Sequence, residues 1–328
     1  AVPPFAHWSD YLAMVRDEVR VNMHDYPQMH PRIYGGLWEV NLHMPPYNFT
    51  PIYTPADIVE LYKRQRQIIK ALDPTAMIIG PCPSRLDVDW YEKIFKAGVL
   101  QYLDGIETHA YPDGVATPEA NDYPNKLAAI RALMKKYNHG KVLPIYVTEA
   151  TFRGILGTKI IYRQQAELVT RLTIILKGEG VRAFLPFYSI DFDRENWYGF
   201  QFNLEVDKHP FTTDHVSPKP TVNAIAVCIG ELEGAKPVRR LTDLGKNVWA
   251  YQFTRNGSTV TALWTPTGQQ AVTLDVGIAK HVKIVDIMGH PRTLPINAGH
   301  IKLTAGPAVQ YVESSESLRL DPPVPSRQ

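Results

Sequence analysis

The segment Leu143-Pro-Ile-Tyr-Val-Thr-Glu-Ala-Thr151 is a short apolar run, rich in β-branched and aromatic residues, with a glutamate near its end. A run of this length and composition predicts a buried β-strand. Four further runs predict strands of the same kind: Ile33–Leu42, Met77–Pro81, Leu103–Tyr111 and Val181–Ile190. Because strands that are apolar on both faces are typical of parallel sheets, we expect these five to form one.

Helical patterns alternate with the predicted strands. Thr54–Leu72 begins with Thr54-Pro55, an N-cap residue followed by a proline in the first turn. The other predicted helices are Trp8–Val21, Trp90–Gly98, Asn121–Asn138, Tyr162–Lys177 and Val222–Leu232. Five strand-then-helix units in series predict an α/β fold with a parallel sheet covered by helices.

The pattern changes after Gly234 to short alternating segments, which are typical of antiparallel strands. These segments are Asn247–Phe253, Thr259–Trp264, Ala271–Val276, His281–Met288 and Ala308–Val312, with a turn predicted at Arg255-Asn256-Gly257-Ser258. We therefore expect an α/β domain over residues 1–234 and an antiparallel β-sandwich over 235–315. The polar, proline-rich residues 316–328 are expected to have little structure of their own.

Composition excludes several classes of function. Lys and Arg number 35 against 33 Asp and Glu, and no dense basic run occurs, so a nucleic-acid partner is not predicted. No stretch approaches the roughly 20 apolar residues of a membrane span, so we expect a soluble protein without a membrane partner, either secreted or periplasmic or cytoplasmic. Cys82 and Cys228 lack the spacing of a zinc site, and neither a metal nor another cofactor is predicted.

Two of the predicted strands carry a glutamate toward their carboxyl ends, where α/β folds place their functional sites. With a period of two, Glu39 shares a face with Leu37, and Glu149 shares a face with Val147. Two carboxylates across a cleft suit glycoside hydrolysis, in which one donates a proton and the other attacks the sugar. Either glutamate alone could equally cap a loop or pair with an arginine.

The sequence resembles glycoside hydrolase clan A, the retaining enzymes with a (β/α)8 TIM barrel. Leu37–Asn41 resembles the strand-4 motif that carries the acid/base, and Tyr146–Ala150 resembles the strand-7 motif that carries the nucleophile. Asp104–Pro112 resembles the strand-6 element with its His-x-Tyr pattern, and Phe184–Tyr188 takes the place of strand 8. With a β-sandwich appended, the resemblance is closest to family 39.

The resemblance implies a retaining glycosidase acting on a glycoside, oligosaccharide or polysaccharide, with Glu149 as nucleophile and Glu39 as acid/base. The residues that it implies for substrate binding are Trp38, Asn41, His109, Tyr111, Phe187, Tyr188 and Trp197. Glu107, on the same strand face as His109, is a further carboxylate that could lie near the site or deeper in the fold. A retaining mechanism predicts carboxyl groups about 5–5.5 Å apart rather than about 6.5–9.5 Å.

Two departures from the clan pattern leave alternatives open. Trp38 stands where the clan has the asparagine that contacts the sugar 2-hydroxyl. Only 32 residues precede Ile33, so the sequence predicts an incomplete barrel with strands 4 to 8 alone. We expect a homo-oligomer, a second chain or the rest of a longer precursor to cover the open edges. The alternative functions are a catalytically degenerate carbohydrate-binding or assembly protein and a transglycosidase that uses the same glutamates.

Overall fold

The structure is a computed structural model and describes residues 7–42, 53–112, 114, 117–156, 159–191, 197–203, 215–277 and 281–314. The predicted tail, residues 316–328, lies outside this range. The chain divides into two compact units. The first unit consists of residues 1–114, 122–150 and 181–185, and the second consists of residues 115–121, 151–180 and 186–328.

Six helices and seventeen strands are described. The helices are α1 (Trp8–Asp25), α2 (Pro55–Leu72), α3 (Val88–Lys96), α4 (Tyr123–Tyr137), α5 (Tyr162–Gly178) and α6 (Pro220–Leu232). The strands up to the last helix are β1 (Ile33–Tyr34), β2 (Met77–Ile78), β3 (Ile106–His109), β4 (Ile145–Ala150), β5 (Ile155–Leu156), β6 (Lys159–Ile160), β7 (Ala183–Pro186), β8 (Gln201–Asn203) and β9 (Val216–Pro218). Those that follow are β10 (Lys236–Leu241), β11 (Trp249–Arg255), β12 (Ser258–Trp264), β13 (Gln270–Asp275), β14 (His281–Asp286), β15 (Pro291–Pro295), β16 (His300–Ala305) and β17 (Gln310–Ser314).

The first unit is built on parallel strand pairs. β1 pairs in parallel with β2, and β3 pairs in parallel with β4. A parallel bridge between Ile79 and Gly105 links the two pairs, and β7 lies on the other side of β4. The predicted alternation of five strands with helices is therefore confirmed, although the hydrogen-bonded parts of the strands are shorter than the apolar runs.

Helix α2 begins where the sequence predicts it. Thr54 forms a capping box with Asp57: the Thr54 hydroxyl accepts from the Asp57 backbone N–H at 3.2 Å, and the Asp57 carboxylate accepts from the Thr54 N–H at 2.9 Å. Pro55 occupies the first turn, where its missing N–H costs nothing. The buried residues of α2 recur every three or four positions along one face: Ile58, Leu61, Tyr62, Gln65 and Ile69.

The predicted strand Ile33–Leu42 is wrong beyond Tyr34. Glu39 has a φ of 44°, which lies in the left-handed region and outside the range of a β-strand. The backbone turns there, with the Leu42 N–H bonded to the Glu39 carbonyl at 3.0 Å. The Val40 N–H is bonded to the Cys82 carbonyl at 3.3 Å. Glu39 therefore lies in a turn after β1, and the period-two placement of its side chain with Leu37 does not apply.

Antiparallel pairing dominates the second unit, as the sequence predicts after Gly234. One sheet has the strand order β10-β11-β12-β17-β14-β15, and β13 pairs with β16 in another. β11 and β12 meet at the predicted turn, where Asn256 and Gly257 have φ values of 50° and 82°. A two-residue type I′ hairpin turn requires a positive φ at both of its central residues. Residues of both sheets belong to one buried cluster, which includes Ala250, Leu263, Val272, Leu274 and Leu303.

A buried polar group ties residues 117–121 to other parts of the second unit. Glu119 forms an ion pair with Arg171 of α5 at 3.3 Å and accepts a hydrogen bond from the Trp264 indole N–H at 2.6 Å. Arg171 also donates to the carbonyls of Thr265 and Pro266. Because burial of an unpaired charge is costly, these contacts fix α5 against residues 264–266. α5 also packs against α6.

A carboxyl pair in the second unit predicts a pH-dependent stability. Burial and the neighbouring Glu313 carboxylate raise the pKa of Glu231 to about 7, whereas the hydrogen bond between the two side chains lowers the pKa of Glu313. Lys283 and Arg255 also face Glu313. A carboxyl pKa that is higher in the folded than in the unfolded chain stabilises the fold at low pH, and this contribution is lost as the pH rises through about 7.

We therefore expect the thermal unfolding midpoint to fall between about pH 4.5 and pH 7, with Glu231→Gln flattening this dependence. The glutamine stays neutral and can still donate to Glu313. Scanning calorimetry at several pH values measures the effect, and Glu233→Gln, at an exposed position just beyond α6, is the matched control. An unchanged pH slope in the Glu231 variant would contradict the assignment.

Candidate active site

A β-bulge between β3 and β4 brings histidine and glutamate side chains together. Thr108 is paired with Val147 and His109 with Glu149, so Thr148 is an extra residue on β4. The Thr148 hydroxyl donates to Glu107 Oε1 at 3.0 Å, and Glu149 Oε2 lies 3.7 Å from His109 Nε2. Since Glu107 and His109 share one face of β3, the bulge turns two consecutive β4 side chains toward that face. This differs from the strict alternation that the sequence predicts.

Glu39 reaches the same place from the turn after β1. Its Oε1 atom lies 2.8 Å from His109 Nδ1, and both side chains are buried, with 6% and 2% of their residue surfaces exposed. The backbone N–H of His109 donates to the Pro83 carbonyl at 2.9 Å, which fixes the histidine from the main chain. The imidazole therefore lies between the two carboxylates that the sequence singles out.

The separation of the two glutamates is short. One oxygen of Glu39, one oxygen of Glu149 and one ring nitrogen of His109 all lie within 4.8 Å of one another. Two carboxylates and an imidazole are ligands that a divalent ion such as zinc can bind. Here the Glu39 and His109 atoms already form a direct hydrogen bond, and Glu149 lies at ion-pair distance from the other ring nitrogen, so we interpret the three as a polar cluster without a metal role.

Two aromatic side chains donate to Glu149. The Tyr111 hydroxyl donates to Oε1 at 2.5 Å, and the Trp38 indole N–H donates to Oε2 at 3.4 Å. Both rings lie edge-on to the His109 ring, with centroids 6.0 Å and 5.9 Å away. Each oxygen of Glu149 thus has its own donor. The structure therefore brings together five of the predicted site residues.

Asn41 has a different contact. Its side-chain oxygen accepts from the backbone N–H of Ser84 at 2.8 Å. Together with the bond from Val40 to Cys82, this contact ties the turn that carries Glu39 to the segment after β2. The observed contact thus supports the turn, whereas contact of Asn41 with a substrate stays a prediction.

Phe187, Tyr188 and Trp197 belong to the second unit. The peptide bond between Phe187 and Tyr188 is cis, and the two rings lie edge-on with centroids 4.1 Å apart. Trp197 stacks on Tyr162 at 6.5 Å, and its backbone N–H donates to Asp191, which is paired with the buried Lys219. These contacts hold the three aromatic side chains in place, and their role in substrate binding stays a prediction.

Glu107 is a third carboxyl group near the set. Burial raises its pKa, and its partner in the structure is the Thr148 hydroxyl rather than an arginine. A Cβ atom at Gly35 would lie 3.0 Å from Glu107 Oε2, so a glycine leaves room for the carboxyl group. The period-two pattern predicts that Glu107 shares a face of β3 with His109. No feature of the sequence predicts the bulge or the contact of Thr148 with Glu107.

Comparison with solved structures defines the class of fold. No protein-family model matches the chain, and no curated protein matches it by sequence. A family 39 glycoside hydrolase from Bacteroides cellulosilyticus has a TM-score of 0.69 at 17% identity, covering 92% of this chain and 61% of the other. A family 30 endoxylanase from Clostridium papyrosolvens has a TM-score of 0.63 at 12% identity, covering 94% and 72%.

A family 51 arabinofuranosidase from Xanthomonas axonopodis pv. citri also has a TM-score of 0.63, at 16% identity, covering 95% of this chain and 73% of the other. The chain therefore has the α/β fold of these glycoside hydrolases, as the resemblance to family 39 and its clan predicts. It spans about 61% of the length of the family 39 enzyme. Among the described residues, no helix is long and apolar enough to cross a membrane.

The link between Thr148 and Glu107 predicts a stability difference between two variants. Thr148→Val removes the hydroxyl and leaves the buried Glu107 carboxyl without this donor, at an expected cost of about 1–3 kcal/mol in the free energy of unfolding. Thr148→Ser keeps the donor and is expected to cost less. Urea unfolding at neutral pH compares the two, and equal losses would show that the hydrogen bond contributes nothing.

Proposed function

We propose that the chain is a retaining glycoside hydrolase, with Glu149 as the nucleophile and Glu39 as the general acid and base. The observation that carries the proposal is the placement of one oxygen from each carboxylate within 4.8 Å of the other. Retaining enzymes hold their two carboxyl groups about 5–5.5 Å apart, whereas inverting enzymes need about 6.5–9.5 Å to admit a water molecule. The fold shared with three families of glycoside hydrolases supports the same reaction class.

In the first step, Glu39 donates its proton to the glycosidic oxygen while Glu149 attacks the anomeric carbon. The bond to the leaving group breaks and a glycosyl ester to Glu149 forms. The hydrogen bond between His109 Nδ1 and Glu39 Oε1 orients the acid. The donors Tyr111 and Trp38 hold Glu149 in place for the attack.

In the second step, Glu39 acts as a base. It takes a proton from water, the water oxygen attacks the anomeric carbon, and the ester bond to Glu149 breaks with release of the carboxylate. Two displacements at the same carbon return its original configuration. The same two glutamates would serve a transglycosidase if a sugar hydroxyl replaced the water.

We also propose how the predicted domains are organised. The parallel strands of residues 1–234 form strands 4 to 8 of a TIM barrel, and the antiparallel sheets of residues 235–315 form an accessory β-sandwich. Within the described residues β1 is hydrogen-bonded to β2 on one side only, and Ile33 is 47% exposed. Because an open strand edge favours pairing, a further barrel segment from this protein or a partner chain is the expected cover.

The decisive test is hydrolysis of aryl xylosides, arabinosides, galactosides, glucosides, mannosides and fucosides. We expect turnover of one or more of these substrates, and Glu149→Gln is expected to lower kcat on the order of 10⁴-fold or more, since the nucleophile is lost. Glu39→Gln is expected to lower kcat by about 10²–10⁴-fold for leaving groups that need protonation, and much less for dinitrophenolate. Glu92→Gln, at a partly exposed glutamate on α3 that pairs with Lys136, is the matched control.

The stereochemistry of the first product tests the mechanism. We expect proton NMR spectra, recorded as the reaction starts, to show a product with the anomeric configuration of the substrate. The inverted anomer would overturn the retaining mechanism. Sugar binding without Glu149-dependent turnover would favour the degenerate carbohydrate-binding protein, and products longer than the substrate would favour the transglycosidase.

A further inference from the structure

Trp38 occupies an unusual position for a large apolar side chain. It immediately precedes Glu39 in the turn after β1, it is 50% exposed, and its indole N–H points at Glu149 Oε2. Its ring also lies edge-on to the buried His109. This half-exposed tryptophan therefore contacts both Glu149 and His109 and is the chain neighbour of Glu39.

The chemistry of the indole limits what this contact does. An indole nitrogen donates a hydrogen bond and accepts none, so it favours a carboxylate that carries negative charge. Tyr111 already donates to Oε1, and Trp38 supplies the donor for Oε2. Without Trp38, the Oε2 atom of Glu149 would have no hydrogen-bond donor from these two aromatic side chains.

We propose that Trp38 is a positioning residue for Glu149, and that its indole N–H stabilises the carboxylate when it is released from the glycosyl ester. This inference rests on the proposed function. In the ester one carboxyl oxygen is bonded to the sugar and the negative charge is gone. As the bond between the anomeric carbon and that oxygen breaks, its electron pair returns to Glu149, and the N–H stabilises the developing charge.

The kinetic test uses Trp38→Phe, which keeps an aromatic ring and removes the N–H. With a dinitrophenyl glycoside of the sugar that the wild type cleaves fastest, we expect release of the carboxylate to slow by about 10-fold, the lower range for a hydrogen bond to a charged group. Formation of the ester is expected to change less. A burst of dinitrophenolate should then precede a slower steady state, with a lower KM because the ester accumulates.

Trp90→Phe is the matched control because it removes an indole N–H on α3, where Trp90 contacts Tyr91. It is expected to show wild-type kinetics. If Trp38→Phe also shows wild-type kcat and no change in burst while Glu149→Gln is inactive, the inference is overturned and the proposed function stands. If Trp38→Phe only folds less completely, the burst amplitude falls and the steady-state rate per active site stays unchanged. That result would also contradict the inference.

A spectroscopic test is independent of turnover. The chain has six tryptophans, and the indole signal that disappears from the ¹⁵N spectrum of Trp38→Phe is that of Trp38. We expect Glu149→Gln to shift this signal strongly because the charged acceptor is replaced by an amide, and Glu107→Gln to leave it in place. The other five indole signals report whether each variant folds.

The two tests separate the inference from the proposed function. Absence of turnover on every glycoside, with a Trp38 signal that depends on Glu149, would reject the glycosidase and keep the contact between the two side chains. A Trp38 signal that is the same in the wild type and in Glu149→Gln would reject the positioning role, whatever the activity.

Discussion

The one-residue bulge between β3 and β4 is the constraint on which the candidate site depends. With regular pairing, successive β4 side chains would alternate between the two faces, and Thr148 and Glu149 could not both contact β3 residues of one face. The bulge allows both contacts, with Glu107 and with His109. The carbonyl of Glu149 is still bonded to the N–H of Ala110, so the pairing continues past the extra residue. A bulge next to a functional site is a common way of redirecting one side chain.

The sequence predicts those parts of the fold that local physics determines. Thr54 followed by Pro55 defines the start of α2 because the cap needs only residues within one turn. Asn256 and Gly257 define a hairpin because both accept a positive φ. The alternation of apolar runs with helical patterns likewise identifies the parallel strands, since their burial follows from composition.

The turn at Glu39 could not be predicted in this way. An apolar run from Ile33 to Leu42 has the composition of a strand, and a glutamate rarely adopts a positive φ. What holds the turn is distant in sequence: the Cys82 carbonyl accepts from Val40, and Asn41 accepts from Ser84. The order of the sequence motifs nevertheless placed Glu39, His109, Tyr111 and Glu149 in one site, because parallel strands bring their carboxyl ends to the same edge. The order of the motifs therefore predicted which residues lie close together, although the secondary structure predicted around Glu39 was wrong.

Burial explains why the site is a connected set of groups rather than two separate glutamates. Glu39 and His109 are almost completely buried, and a buried polar group without a partner is costly. Their mutual hydrogen bond offsets that cost for both. Glu149 is more exposed, and it is bonded instead to Tyr111 and to the half-exposed Trp38. His109 is therefore hydrogen-bonded to the more buried carboxylate, and the more exposed carboxylate is held by two aromatic donors. Two chemically identical side chains therefore differ in their partners and in their exposure.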